Sequence, residues 1–153
     1  MKIRILCAIC ILLSAVTSSF ALLKKKAPKP EKSEYLLTAG GGFLRAGKTR
    51  GIVYAMTFKR LKMQDQTIYA LITFENPTDK NQPLTVEMEL PAGQEQIIAQ
   101  SPVIKSIKNR KNYLVTVTLY ADREHAEKLG EHKQEVQFYL PPKIAKQIGL
   151  KLR

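Results

Sequence analysis

The spelling in this chain that most resembles chemistry is Gly42-Phe43-Leu44-Arg45-Ala46-Gly47-Lys48-Thr49, which meets G-x-x-x-x-G-K-[ST] at every fixed position. In a phosphate-binding loop the glycines let backbone N–H groups wrap the phosphates. The lysine reaches the outer phosphates, and the threonine hydroxyl holds magnesium. That chemistry needs a strand before the loop and a helix after it, so that a helix N-terminus faces the anion. Here Gly51 follows at once and a β pattern comes next, with Ile52, Tyr54, Met56 and Phe58 alternating with Val53, Ala55, Thr57 and Lys59. The segment reads as a glycine-rich turn before a long strand, and no nucleotide cofactor is expected.

Other candidates fail on spacing. His125 and His132 are the only histidines, flanked by Asp122, Glu124, Glu127 and Glu131. A metal site needs three or four converging ligands, and Gly130 separates the pair, so a solvated loop is expected and no metal. Glu87 and Glu89 share one face of a strand pattern, where carboxylates are solvated unless a cleft encloses them. Ser101, Ser106 and Thr116 lack a Gly-x-Ser-x-Gly elbow. Cys7 and Cys10 have CxxC spacing inside an apolar run, outside any redox context. The chain is therefore expected not to be an enzyme. A metal- or nucleotide-dependent hydrolase built on Gly42–Thr49 or the histidines is the remote alternative.

Charge is more informative. The chain carries 25 Lys and Arg against 13 Asp and Glu, a formal net charge of +12. No acid occurs between Tyr35 and Gln64, a stretch holding Arg45, Lys48, Arg50, Lys59, Arg60 and Lys62. None occurs between Gln96 and Ala121, which holds Lys105, Lys108, Arg110 and Lys111. Brought together, the two stretches would make one basic surface that concentrates anionic partners. The expected contact set is Arg45, Lys48, Arg50, Lys59, Arg60, Lys105, Lys108, Arg110 and Lys111.

The N-terminus narrows the choice of partner. Lys2 and Arg4 precede an apolar run from Ile5 to Val16, and Ser19 and Ala21 stand at the −3 and −1 positions of a cleavage site. This is the order of a secretory signal peptide over 1–21. Both cysteines would leave with it, so thiol catalysis and Cys-ligated zinc are excluded for the exported chain. Residues 22–33, rich in Lys with Pro28 and Pro30, read as an extended tether. Two units of the net charge belong to the signal peptide and four to the tether, which leaves +6 for a single domain over 34–153. Export and thin aromatic interleaving argue against nucleic acid. Lipid head groups, lipopolysaccharide phosphates, teichoic acids, glycans or an acidic protein fit a periplasmic or extracellular location, with membrane contact at most peripheral.

The elements that must position these residues are strands. Thr67–Glu75, Leu84–Leu90, Tyr113–Tyr120 and Glu135–Leu140 alternate with period two, as half-buried antiparallel strands do. Tyr35–Thr38 and Gln96–Ala99 predict shorter strands, with Gly40-Gly41-Gly42 breaking the first. Asp122 as an N-cap, Ala126, Leu129 and Gly130 predict a short helix over 122–129. Pro142, Ile144 and Ile148 predict a C-terminal helical turn. No helix of ten or more residues separates two strands, so no βαβ unit is available. The fold class is all-β, an antiparallel two-sheet sandwich of about seven strands.

These strands, with Asn76-Pro77-Thr78 between two of them, resemble the immunoglobulin-like sandwiches of bacterial cell-envelope proteins over Ile52 to Leu140. The Cys pair and core Trp of true immunoglobulin domains are absent. The resemblance implies a binding or accessory role at the envelope. The alternative is a structural subunit or adaptor of an envelope assembly, held by edge-strand or apolar contacts.

Overall fold

The computed structural model describes residues 27–153. The signal-peptide segment, both cysteines and the first tether residues lie outside those described residues. In chain order the elements are β1 (Leu36–Arg45), β2 (Ile52–Arg60), β3 (Ile68–Phe74), β4 (Leu84–Leu90), β5 (Gln96–Gln100), β6 (Ser106–Ile107), β7 (Lys111–Tyr120), β8 (Lys128–Phe138), α1 (Pro142–Gln147) and β9 (Lys151–Leu152). One antiparallel sheet has the order β1-β2-β5 and the other β4-β3-β7-β8, while β6 and β9 pair in parallel. The alternation read from sequence is the alternation that packs. Tyr54, Met56 and Phe58 from one sheet and Ile72, Phe74, Val115, Val117 and Leu119 from the other are buried in a single core. At one end Tyr54 lies 4.5 Å from Phe43 and 5.2 Å from Phe74, centroid to centroid. The Tyr54 hydroxyl leaves this core to donate to the Glu75 carbonyl at 2.7 Å, and burial raises its pKa.

The helix expected over 122–129 is absent. Asp122 accepts N–H bonds from Ala126 and Glu127 at 2.9 and 2.7 Å, and His125 takes a left-handed φ of 59°. The carboxylate that would cap a helix instead closes the β7–β8 hairpin, since an Asp side chain can bond nearby backbone in non-helical turns. The two N–H donors hold Asp122 below the usual carboxylate pKa. Gly130 does not end a helix; it sits within β8, where an added Cβ would come 2.8 Å from the Tyr35 ring.

Two strands are longer than their patterns suggest. β1 continues through Gly40-Gly41-Gly42 to Arg45, paired with β2 on both sides of a register shift at Ala39. Backbone pairing does not need side chains, and the Met56 sulfur occupies the space a Cβ at Gly41 would take, at 2.5 Å. β8 begins at Lys128 and turns His132 and Gln134 inward, which breaks the apolar period. Gln134 finds its partners in the segment expected to be an extended tether, and His132 finds one there and one in β1. Gln134 donates to the Lys29 carbonyl at 3.0 Å and accepts from the Glu31 N–H at 2.8 Å. His132 Nε2 lies 2.8 Å from Thr38 Oγ1, and Nδ1 lies 3.1 Å from Ser33 Oγ. Residues 29–33 thus strap the seam between β1 and β8, because buried polar groups need partners.

Candidate functional site

The two ends of the sandwich differ in charge. One end gathers the β1–β2 loop (residues 45–51), the β5–β7 connection (101–111) and the C-terminal segment (139–153). Backbone bonds stitch the three together. Ile52 and Ile104 exchange N–H···O bonds at 3.0 and 2.7 Å, Gly51 N–H donates to the Ile148 carbonyl at 3.3 Å, and Lys151 N–H donates to the Lys105 carbonyl at 2.9 Å. Asn109 exchanges side-chain bonds with the Leu140 N–H and carbonyl at 3.0 and 2.9 Å. The approach of 51 to 104 requires glycine. Gly51 has φ 124°, and a Cβ there would sit 2.4 Å from the Ile104 oxygen.

Those three segments hold eleven Lys and Arg and no Asp or Glu. Arg45, Lys48, Arg50, Lys105, Lys108 and Arg110 are exposed there. The acid-free stretches around 45–50 and 105–111 therefore meet, as one surface. A third contributor was missed in the sequence reading: Lys143, Lys146, Lys151 and Arg153, all exposed. Its signal was available, since 139–153 is also free of acids. The opposite loops, 61–67, 91–95 and 121–127, carry five acids against two bases. The β3–β4 loop (75–83) lies at the basic end too, where Arg153 donates to the Pro77 carbonyl, and it adds Glu75, Asp79 and Lys80. With it that end carries twelve bases against two acids, so charge is polarised along the strand axis.

Three of the expected contact residues do not join the free charge of this pole. Lys59 is exposed on the outer face of its sheet, in register with Leu37 and Gln96 towards the other end. Arg60 is 0 % exposed. Its guanidinium donates to the carbonyls of Pro91, Gln94 and Gln66 at 3.0, 3.1 and 2.9 Å, and also to that of Met63. It ties the β2–β3 loop to the β4–β5 loop, and burial lowers its pKa. A side chain enclosed in this way offers nothing to a partner, a correction to its place in the contact set. Lys111 stands at the pole, but its ammonium pairs with Glu75 at 2.6 Å and lies 4.4 Å from the Tyr113 ring centroid. Burial pushes the Glu75 carboxyl up, but the Lys111 ammonium and the Leu114 N–H outweigh it and hold it below the usual range.

The other candidates are dispersed. Gly42–Arg45 is strand and 46–51 a tight turn into β2, with no helix following. Glu87 and Glu89 sit opposite Leu71 and Tyr69 on an outer sheet face. His132 is buried beneath the strap, whereas His125 stacks on Tyr120 at 4.3 Å in the far hairpin. Among the described residues no group of three His, Cys, Asp or Glu side chains is placed to hold a metal, and no helix is long and apolar enough to cross a membrane. What the pole offers is multivalent cationic contact on a rigid frame. No protein family, characterised protein or solved structure matches the chain.

Proposed function

We propose that this protein is an exported, non-enzymatic β-sandwich that acts as a binding or accessory module at the cell envelope, through a basic pole that contacts an anionic partner. The observation that carries this reading is the segregation of charge: twelve bases against two acids in the loops and C-terminal segment of one end, and an excess of acids in the loops of the other. Mere solubility would need charges of both signs interspersed over the surface. A one-ended distribution orients the molecule as it approaches an oppositely charged partner. The strand order also supports the envelope immunoglobulin-like likeness. The second strand pairs with the first and the fifth in one sheet, and the third pairs with the fourth and the seventh in the other, an order compatible with such sandwiches.

The test is retention of the protein on an immobilised polyanion across a salt series. Exposed charges are screened over roughly 10 Å at 0.1 M salt and roughly 3 Å at 1 M, so retention is expected to fall steeply over that range. Binding that survives high salt would instead favour the adaptor held by apolar or edge-strand contacts, and no binding at any salt would remove the basic-pole reading.

A further inference from the structure

The basic pole is not uniformly polar. Leu44 at the end of β1, Tyr139 after β8 and Ile144 on α1 line one groove, and they remain 54 %, 58 % and 44 % exposed. Phe43 and Phe138, 5.0 Å apart in an edge-to-face contact, lie beneath it. Arg45 lines the same groove, the Arg110 guanidinium lies 5.6 Å from the Tyr139 ring centroid, and Lys143 adjoins Ile144. Three large apolar side chains are thus left in water within a collar of cations.

We infer that this end of the domain docks on a membrane surface rich in anionic phospholipid, with Leu44, Tyr139 and Ile144 entering the interface and the surrounding bases engaging the phosphates. This rests on the basic-pole reading and narrows its partner. The combination of apolar contact with surrounding Lys and Arg is what binds proteins peripherally to anionic bilayers. The groove holds about 260 Å³, below the 300–1,000 Å³ of ordinary small-molecule sites. It is too small to enclose an amphiphile, whereas half-exposed side chains can enter a fluid interface without a shaped counterpart. Tyr139 suits the headgroup level, where amphipathic rings collect. An acidic protein would satisfy the cations but would need its own apolar patch matched to three separate side chains.

The chain has no Trp, so Tyr139→Trp is a clean reporter. Its emission is expected to shift to the blue on vesicles containing phosphatidylglycerol, to be quenched by brominated acyl chains, and not to respond to pure phosphatidylcholine. The double variant Leu44→Ser, Ile144→Ser changes two exposed positions. It is expected to lose at least tenfold in affinity for the anionic vesicles while binding soluble polyphosphate like the unmodified protein. Vesicle binding with unshifted Tyr139→Trp emission, or with the double variant unaffected, would overturn the insertion and leave a headgroup-only contact. Binding to polyphosphate or polyglutamate without vesicle binding would overturn the membrane inference and leave the basic pole standing. Loss of all anion binding in the unmodified protein would remove both.

Discussion

Arg60 makes the sharpest structural prediction, because its sequence context gives it one role and its surroundings give it another. Arg60→Met keeps most of the stem volume and removes the guanidinium that four backbone carbonyls share. Hydrogen bonds to a charged group contribute roughly 1.5–3 kcal/mol each, so the gross loss is about 6–12 kcal/mol. Returning a buried guanidinium to water in the unfolded state offsets several kcal/mol, which leaves a net cost of about 3–5 kcal/mol. That is a large part of the roughly 5–15 kcal/mol that holds a domain together. The β2–β3 and β4–β5 loops have one further direct tie, Gly93 N–H to the Gln64 carbonyl at 2.6 Å, so the orphaned carbonyls gain only partial access to water. Urea unfolding followed by far-UV circular dichroism reads the cost directly. Arg60→Lys, with one donor centre in place of a fork, is expected to recover less than half of it. Binding of folded Arg60→Met to an anionic surface is expected to match that of the unmodified protein. A cost below about 1 kcal/mol, or a loss of anion binding with stability unchanged, would refute the structural role.

Gly51→Ala is expected to destabilise by about 2–4 kcal/mol, since it forces a Cβ onto the Ile104 oxygen at φ 124°. Gly47→Ala, at φ 54° in open space, costs about 1–2 kcal/mol, and equal effects in denaturant melts would contradict the close approach of the two segments. Tyr54→Phe loses the buried bond to the Glu75 carbonyl and is expected to cost about 0.5–1.5 kcal/mol, readable as a shift in the urea midpoint. His132 is held below its ordinary pKa by burial, partly opposed by Glu31, and it faces Ser33, Thr38 and the Phe58 ring. The unfolded chain therefore takes up a proton at about pH 6.5 while the folded chain does not. Stability is expected to fall as pH drops below that value towards the lower folded pKa, and His132→Gln is expected to flatten this dependence. Identical pH profiles for the two proteins would show that the strap contact does not exclude the proton.

The fold was legible wherever burial followed a period of two. β2, β3, β4 and β7 are bounded within a residue or two of their sequence patterns, because each buries one apolar face. The failures have physical causes. β1 carries glycines whose side-chain space is filled from another strand by Met56. β8 buries His132 and Gln134, polar residues that read as surface until residues 29–33 supply their partners. Asp122 carries a helix-cap signature that a hairpin turn used instead. At the candidate site, the two acid-free stretches were legible but their meeting was not, because it is set by the backbone pairing of Ile52 with Ile104. Arg60 could not be separated from its exposed neighbours, because its four partners are backbone carbonyls with no sequence signature. The contribution of 143–153 is visible in the same count, since 139–153 also lacks acids.

If the basic pole binds, the position of the charge matters more than its amount. Two variants that each remove three charges separate the two: Lys48→Gln, Arg50→Gln, Lys105→Gln at the basic pole, and Lys59→Gln, Lys62→Gln, Arg123→Gln elsewhere. All six residues are exposed. Each base near an anionic surface contributes about 1 kcal/mol, so the affinity of the pole variant for phosphatidylglycerol-containing vesicles at low salt is expected to fall about 100-fold. The second variant is expected to change by less than about threefold. Equal losses in the two would reduce the effect to net charge, and an unchanged pole variant would remove the basic pole as the contact.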